Sequence, residues 1–319
     1  MRLSVIVNPV AGGGRAGRAL PAVRAELHRL GLEHHVQATL SLEHARRLAR
    51  DAITAGETAV AFGGDGLIGA VAGALRHTDG VLGVLPGGRG NDFARSLSIP
   101  VDAVSACAVL TTGSTKRLDL GCVGGRTFIG IASCGFDSVA NRIANETKLV
   151  RGNLVYVYGA MRALAGWRPA SFTVTVDDGQ PRSVVGYTVA VANSGRYGGG
   201  MQLAPDARLD DGLLELVIIS DVPRLRFLRM LPSVFRGDHV DRPEFELQRA
   251  RHVRIAASRP FTLYADGDPI AELPAEIEVL PAAVRMIVPA ADAAADTGTG
   301  AGADTGTGAG AESNTAASA

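Results

Sequence analysis

Short apolar runs alternate with stretches of helical periodicity through the first third of the chain. Leu3–Val7, Thr58–Phe62 and Val81–Leu85 are short and almost uniformly apolar, which predicts strands buried on both faces. His35–Ala38 predicts one more. Between them, Leu20, Val23, Leu27 and Leu30 share one helical face, and Leu42, Ala45, Leu48, Ala49 and Ile53 share another behind Ser41 as N-cap. Further helices are predicted from Leu67 through Arg76 and over Val101–Leu110. Such alternation predicts a parallel sheet with helices on both faces, whose ligands gather beyond the carboxyl ends of the strands.

Three glycine-rich turns fall at that edge. Gly63-Gly64-Asp65-Gly66 joins a strand to a helix, so a backbone without Cβ atoms can approach a ligand while helix amides face it. Asp65 would repel a bare phosphate, which points to a metal or a hydroxyl as its partner. In chain order Asn8-Pro9-Val10-Ala11-Gly12-Gly13-Gly14-Arg15 is the first turn, Gly63 to Gly66 the second, and Pro86-Gly87-Gly88-Arg89-Gly90-Asn91-Asp92 the third. Gly12 to Ala19 has the glycine spacing of a Walker A loop, but Arg18 and Ala19 replace its lysine and hydroxyl. It reads equally as a phosphate cradle using Arg15 and Arg18 and as an ordinary turn. Gly64 to Gly69 also fits the dinucleotide fingerprint; the next strand, however, ends in Pro-Gly-Gly-Arg and not in a ribose-binding acid.

Near Asp119 the pattern changes. Arg126–Ser133, Ser171–Asp177, Tyr187–Ala192, Leu213–Ile219, His252–Ala256, Phe261–Tyr264, Ile277–Leu280 and Val284–Val288 predict strands, with turn signals at Asp178-Gly179, Asp211-Gly212 and Asp266-Gly267. Helices interrupt them at Ser138–Trp167, with a break expected near Gly152, and at Pro223–Phe235. The expected architecture is an α/β nucleotide-binding domain over 1–120, then a β-rich antiparallel sandwich domain over 121–289. From 290 to 319 the chain is Ala, Thr, Gly, Asp and Ser without apolar periodicity, which predicts a disordered tail.

Composition narrows the function classes. Apolar residues make up 46% of the 319, enough for two cores, and the formal net charge of zero gives no basic footprint for nucleic acid. Cys107, Cys122 and Cys134 are odd in number and lack metal-ligand spacing, which fits a reducing compartment. Asn8-Pro9 interrupts the N-terminal apolar run too early for a signal segment, and no run approaches the ~20 residues of a membrane span. A cytoplasmic location is expected, with contact at the inner face of a membrane left open. Trp167 beside Arg162 and Arg168 reads as a partly buried core residue before it reads as a membrane contact.

Taken together, these motifs resemble the diacylglycerol kinase catalytic-domain family, in particular the soluble bacterial lipid kinases, with sphingosine and ceramide kinases as relatives. The match runs over about 1–289 and is carried by Asn8-Pro9 with its glycines, Thr39, Gly63 to Gly66, Pro86 to Ala94, Asn193-Ser194-Gly195, Tyr197 to Gly200, Ala204 to Ala207 with Asp210-Asp211-Gly212, and Asp266-Gly267-Asp268. The resemblance implies phosphorylation of a lipid hydroxyl, diacylglycerol first, by ATP and magnesium at a membrane surface; a homodimer stays open. By position it implies nucleotide contacts from Asn8, Gly12, Gly13, Arg15, Thr39, Gly63, Gly64, Asp65, Gly66, Leu67, Gly88, Arg89, Gly90 and Asn91. Asp65 would stand near the phosphates and their magnesium. Asp211, with the carbonyls of Arg208 and Leu213, would hold a structural magnesium, and Asp268 would be the general base.

Three positions depart from the family pattern: Leu67 in place of Thr or Ser, Arg89 where many members have Thr, and Asp268 in place of Glu. The last shortens the base by one methylene, which could retract its carboxylate by about 1–1.5 Å, and misplacement on that scale can cost ~100-fold in rate. Two other readings accompany the lipid kinase. One is a kinase of the NAD-kinase type acting on a non-lipid acceptor, against which Gly69-Ala70 stands where those enzymes carry Asn-Glu. The other is a non-catalytic nucleotide-binding module.

Overall fold

The computed structural model describes residues 1–147 and 154–290. The first lobe follows the predicted alternation: β1 (Arg2–Val7), α1 (Ala11–Arg29), β2 (Glu33–Ala38), α2 (Leu42–Thr54), β3 (Thr58–Gly63), α3 (Asp65–Leu75), β4 (Val81–Pro86) and α4 (Asp92–Ser96). The strands lie parallel in the order β4-β3-β1-β2. β3 and β4 are buried over all but their first residues, as their apolar sequences require. The Ser41 hydroxyl caps α2 by accepting from the His44 amide at 3.1 Å. The helix expected over 101–110 is two single turns, α5 (Ala103–Ala106) and α6 (Val109–Thr112). Both turns bury their apolar side chains, so the periodicity survives the interruption at Cys107 and Ala108.

The second lobe comprises β5 (Ser114–Val123), β6 (Arg126–Phe128), β7 (Ile131–Gly135), α7 (Phe136–Glu146), α8 (Leu154–Gly166), β8 (Ala170–Val176), β9 (Arg182–Ala192), β10 (Leu214–Ser220), α9 (Arg224–Arg236), β11 (Phe245–Ala250), β12 (His252–Ala257), β13 (Thr262–Ala265), β14 (Asp268–Glu272) and β15 (Ala275–Val288). Its strand pairs are antiparallel. Three strands, β5, β11 and β14, escaped the sequence reading. The first four residues of β5 are exposed, β11 buries only its two end residues, and β14 buries only Ile270. The run Arg126–Ser133 divides into β6 and β7 around Ile129 and Gly130. Conversely, the two short runs after Ala275 are one strand, β15, with a register shift between Leu280 and Val284. The break expected near Gly152 and the tail after 290 lie outside the described residues.

β15 joins the lobes. Its start pairs with β12, and its end runs parallel to β4 through Arg285 and Met286. Ala283, Val284, Met286 and Ile287 therefore belong to the apolar cluster of the first lobe, while Ala275, Ile277 and Val279 belong to that of the second. Cys107, Cys122 and Cys134 are buried free thiols.

Candidate active site

Gly12, Gly13 and Gly14 all adopt positive φ, a region that L side chains rarely enter. A Cβ on Gly12 would stand 2.6 Å from the Gly87 carbonyl oxygen, so the first turn packs directly on the third. Arg15 locks that contact by donating to the Gly88 carbonyl at 2.8 Å. Gly64 and Gly88 touch through their backbones, since a Cβ on Gly88 would come within 2.5 Å of the Gly64 Cα. The three turns thus form one backbone surface. Gly13 faces open space on it. Asn8 accepts from the Val10 amide at 3.2 Å, and the Thr39 hydroxyl donates to the Ser41 carbonyl at 2.6 Å. Arg89 is exposed and has no partner among the described residues, and Arg18 reaches the Gly13 carbonyl.

Asp65 turns inward from the start of α3. Its two oxygens accept from the Asp92 and Phe93 amides at 3.2 and 3.1 Å, capping the start of α4. Asn91, in a left-handed conformation at φ 52°, accepts from the Gly88 amide at 2.8 Å and shapes the turn that presents those amides. The carboxylate that the sequence reading aimed only at metal and phosphate therefore also binds the second turn to the third. Leu67 departs further from its expected place. It is 3% exposed, with its side chain folded against Gly63 in the core, and offers a ligand no side-chain atom.

The second lobe meets this surface through the β13–β14 hairpin. Asp266, at φ 52°, accepts from the Ile129 and Gly130 amides at 2.9 and 2.8 Å. Its Oδ2 would lie 3.1 Å from a Cβ on Gly69, and Asp268 Oδ2 would lie 3.3 Å from a Cβ on Gly66. The glycines that imitate a dinucleotide fingerprint are thus spaced for an approaching hairpin. Gly73 continues the stripe under Thr127. Asp268 stands at the exposed rim, and Arg126 steadies its strand by donating to the Ile270 carbonyl at 2.7 Å.

Four carboxylates, Asp65, Asp92, Asp266 and Asp268, come together where sequence reasoning placed two. Burial pushes Asp266 up to about 7, and Asp65 and Asp268 add to the shift. Burial, then the charge of Asp92, pushes Asp65 up to about 6 even though part of the residue stays open to the cleft. Asp92 and Asp268 are also raised by burial, with Arg95 and Arg196 easing the first and Arg126 the second. Asp92 accepts from the Gly199 amide through Oδ2 at 2.8 Å, while its Oδ1 is buried with no partner. A hard divalent cation suits this orphaned oxygen and the crowded charge. Among the described residues no three acidic, His or Cys side chains are placed to hold an ion by themselves, so a bound ligand would have to complete its shell.

A cavity of about 380 Å³ adjoins these carboxylates. Asp65, Asp92 and Asp266 line it, and Met161, Leu164, Phe227, Leu228, Leu231 and Val234 are among its apolar lining residues from the second lobe. Asp137 and Tyr197 bond at 2.8 Å on its wall, and burial pushes the Asp137 carboxyl up to about 6. Nothing in the local sequence marks that pair, because the partners are far apart in the chain and meet only across the fold.

The loop with Arg208, Asp211 and Leu213 lies apart, before β10. Asp211 Oδ1 accepts from the Leu213 amide at 3.0 Å, and Arg208 pairs with Asp210 at 3.4 Å. Burial raises the Glu215 carboxyl, Arg249 eases the shift, and the charges of Asp211 and Asp206 add to it. Asp119, missed as a site residue, clips this loop in place; its oxygens accept from Gly212 and Ala282, each at 2.7 Å.

Comparison with known proteins follows the same division into lobes. Residues 2–123 match the diacylglycerol kinase catalytic domain, and residues 130–288 match the YegS C-terminal NAD kinase beta sandwich-like domain. The chain is 33% identical over 296 residues to a diacylglycerol kinase of Mycobacterium tuberculosis, covering 90% of this chain and 95% of that one. It is 30% identical to a diacylglycerol kinase of Bacillus subtilis over 294 residues, covering 90% and 96%. A crystal structure of a diacylglycerol kinase from Bacillus anthracis superposes with a TM-score of 0.70 at 21% identity, covering 90% and 96%, and so shares the fold.

Proposed function

The chain belongs to the diacylglycerol kinase family, and from that premise we propose that it transfers the γ-phosphoryl group of ATP to the hydroxyl of a membrane lipid, most simply a diacylglycerol. One observation carries the reading: Asp65, Asp92 and Asp266, beside the glycine turns, line the same cavity as a set of apolar side chains from the second lobe. A hydroxyl at the carboxylates with hydrocarbon against the apolar side chains matches that lining.

In this reading the amides and open backbone at Gly12, Gly13, Gly63, Gly64, Gly66 and Gly88 to Asn91 bind the nucleotide phosphates, with Arg15 and Arg89 supplying charge. Asn8 and Thr39 hold the edges of the first turn. Asp65 and Asp92 are the residues that would hold magnesium together with the phosphates; the ion's contribution, when bound, is to neutralise charge developing on the phosphoryl oxygens. Asp268 accepts the proton of the lipid hydroxyl. Burial raises its pKa, which brings it nearer the range in which a carboxylate serves as a base at neutral pH. Asp266 positions it by fixing the hairpin on Ile129 and Gly130. Asp211, with the carbonyls of Arg208 and Leu213, is the proposed structural magnesium site.

The test is incubation with magnesium and labelled ATP over diacylglycerol, monoacylglycerol, a sphingoid base and ceramide in mixed micelles. Labelled phosphatidic acid is the expected product, and Asp65→Ala should reduce it at least ~100-fold, on the scale of losing charge stabilisation at a reacting centre. Tight ATP binding with no transfer to any lipid would instead favour a non-catalytic module, and full activity of Asp65→Ala would remove the mechanism.

A further inference from the structure

A second and larger groove, of about 1030 Å³, lies beside α7, α8 and the start of β13, outside the carboxylate cluster. Four guanidinium groups line it, from Arg142, Arg162, Arg168 and Arg259, against a single carboxylate, Glu146. Among the described residues none of the four makes a salt bridge, whereas Arg182, Arg226, Arg236 and Arg249 in the same lobe all do. Arg259 is held in place: it lies 5.3 Å over the Trp167 ring and 5.0 Å over Phe261, and it donates to the Arg168 carbonyl.

Trp167 packs beneath the groove: the residue lines it, is only 4% exposed, and carries the Arg259 guanidinium over its ring. Four guanidinium groups against one carboxylate ask for an anion rich in acceptor oxygens.

We propose that this groove is a binding site for a phosphate group, seated between the arginines. The volume exceeds what the free ion needs, and Ile143 and Phe261 add apolar wall suited to a hydrocarbon attached to the phosphate. This site stands apart from the proposed kinase reaction and does not depend on it.

Trp167 is the single tryptophan of the chain, so its emission reports the site directly. The full chain, without nucleotide, is titrated with dihexanoyl phosphatidic acid, with inorganic phosphate and with uncharged dihexanoylglycerol. A saturable change with a phosphate-bearing probe is expected, and Arg142→Gln with Arg162→Gln should weaken it at least ~10-fold, as loss of charged hydrogen bonds predicts. Both residues are exposed, so an unchanged melting midpoint verifies the fold of the variant. Saturation by inorganic phosphate at matching concentration assigns a free-phosphate site; saturation by the lipid phosphate alone assigns a lipid-borne one. The proposal is overturned if neither probe gives a saturable change, if the double substitution leaves it intact, or if excess dihexanoylglycerol displaces it.

Discussion

Asp268 is one methylene shorter than the glutamate that the family resemblance leads one to expect, yet its Oδ2 reaches the edge of α3, 3.3 Å from where a Cβ on Gly66 would stand. The shorter base should therefore work: Asp268→Glu is expected to stay within about tenfold of the parent in kcat, while Asp268→Asn loses ~10²–10⁴-fold, the range for removal of a general base. Steady-state rates with a short-chain diacylglycerol would check both, and an asparagine variant at full rate would remove the assignment. Leu67 illustrates the opposite case. Its sequence position promises a ligand contact, but an aliphatic side chain at a buried helix start is drawn to the core.

At the scale of elements, the site is a junction of three strand–helix turns and one hairpin, and its tolerance is set by backbone contact. The turns after β3 and β4 touch at Gly64 and Gly88, so Gly88→Ala must push them apart. The expected cost is about 1–3 kcal/mol, as for other forced overpacking, seen as a fall of several degrees in the melting midpoint. Weaker ATP binding should accompany it, because Arg15 and Asn91 both bond to Gly88. On the apolar side, Leu231→Trp on α9 should fill part of the 380 Å³ cavity. A raised KM for long-chain lipid with an unchanged KM for ATP would identify that cavity as the acyl site. Equal KM values for both substrates would exclude it.

Over the whole molecule, the two lobes are held together across a cluster of like charges. Asp65 at about 6 and Asp266 at about 7 both lie above the ordinary carboxylate value. A group raised on folding binds its proton more tightly when folded, so its stabilising contribution is complete below about pH 4 and is lost as pH rises through 6 to 7. Without divalent cations, the melting midpoint should therefore be higher near about pH 5 than near about pH 8, and Asp65→Asn should flatten the difference. Magnesium should raise the midpoint more at the higher pH, where the carboxylates are ionised. A midpoint that climbs steadily with pH, or ignores magnesium, would contradict this balance. No helix among the described residues is long and apolar enough to cross a membrane.

The sequence by itself determined the elements whose causes are local. Uniform apolar runs could only be buried parallel strands, Ser41 could cap α2 within one turn of chain, and glycines at strand ends placed the ligand edge before any coordinates. It also marked Asp65 within a glycine turn and Asp266 at a hairpin, because turn residues and motifs are short-range signals. β11 and β14 were not legible, since pairing with neighbouring strands, and not their own pattern, makes them strands. Nor was the purpose of Gly66 and Gly69, whose missing side chains matter because the β13–β14 hairpin packs against them, or of Gly73, which lies under Thr127. The union of four carboxylates, the Asp137–Tyr197 pair and the arginine groove were decided by tertiary structure alone, because electrostatic proximity and burial depend on distance in space and leave no periodicity in the chain.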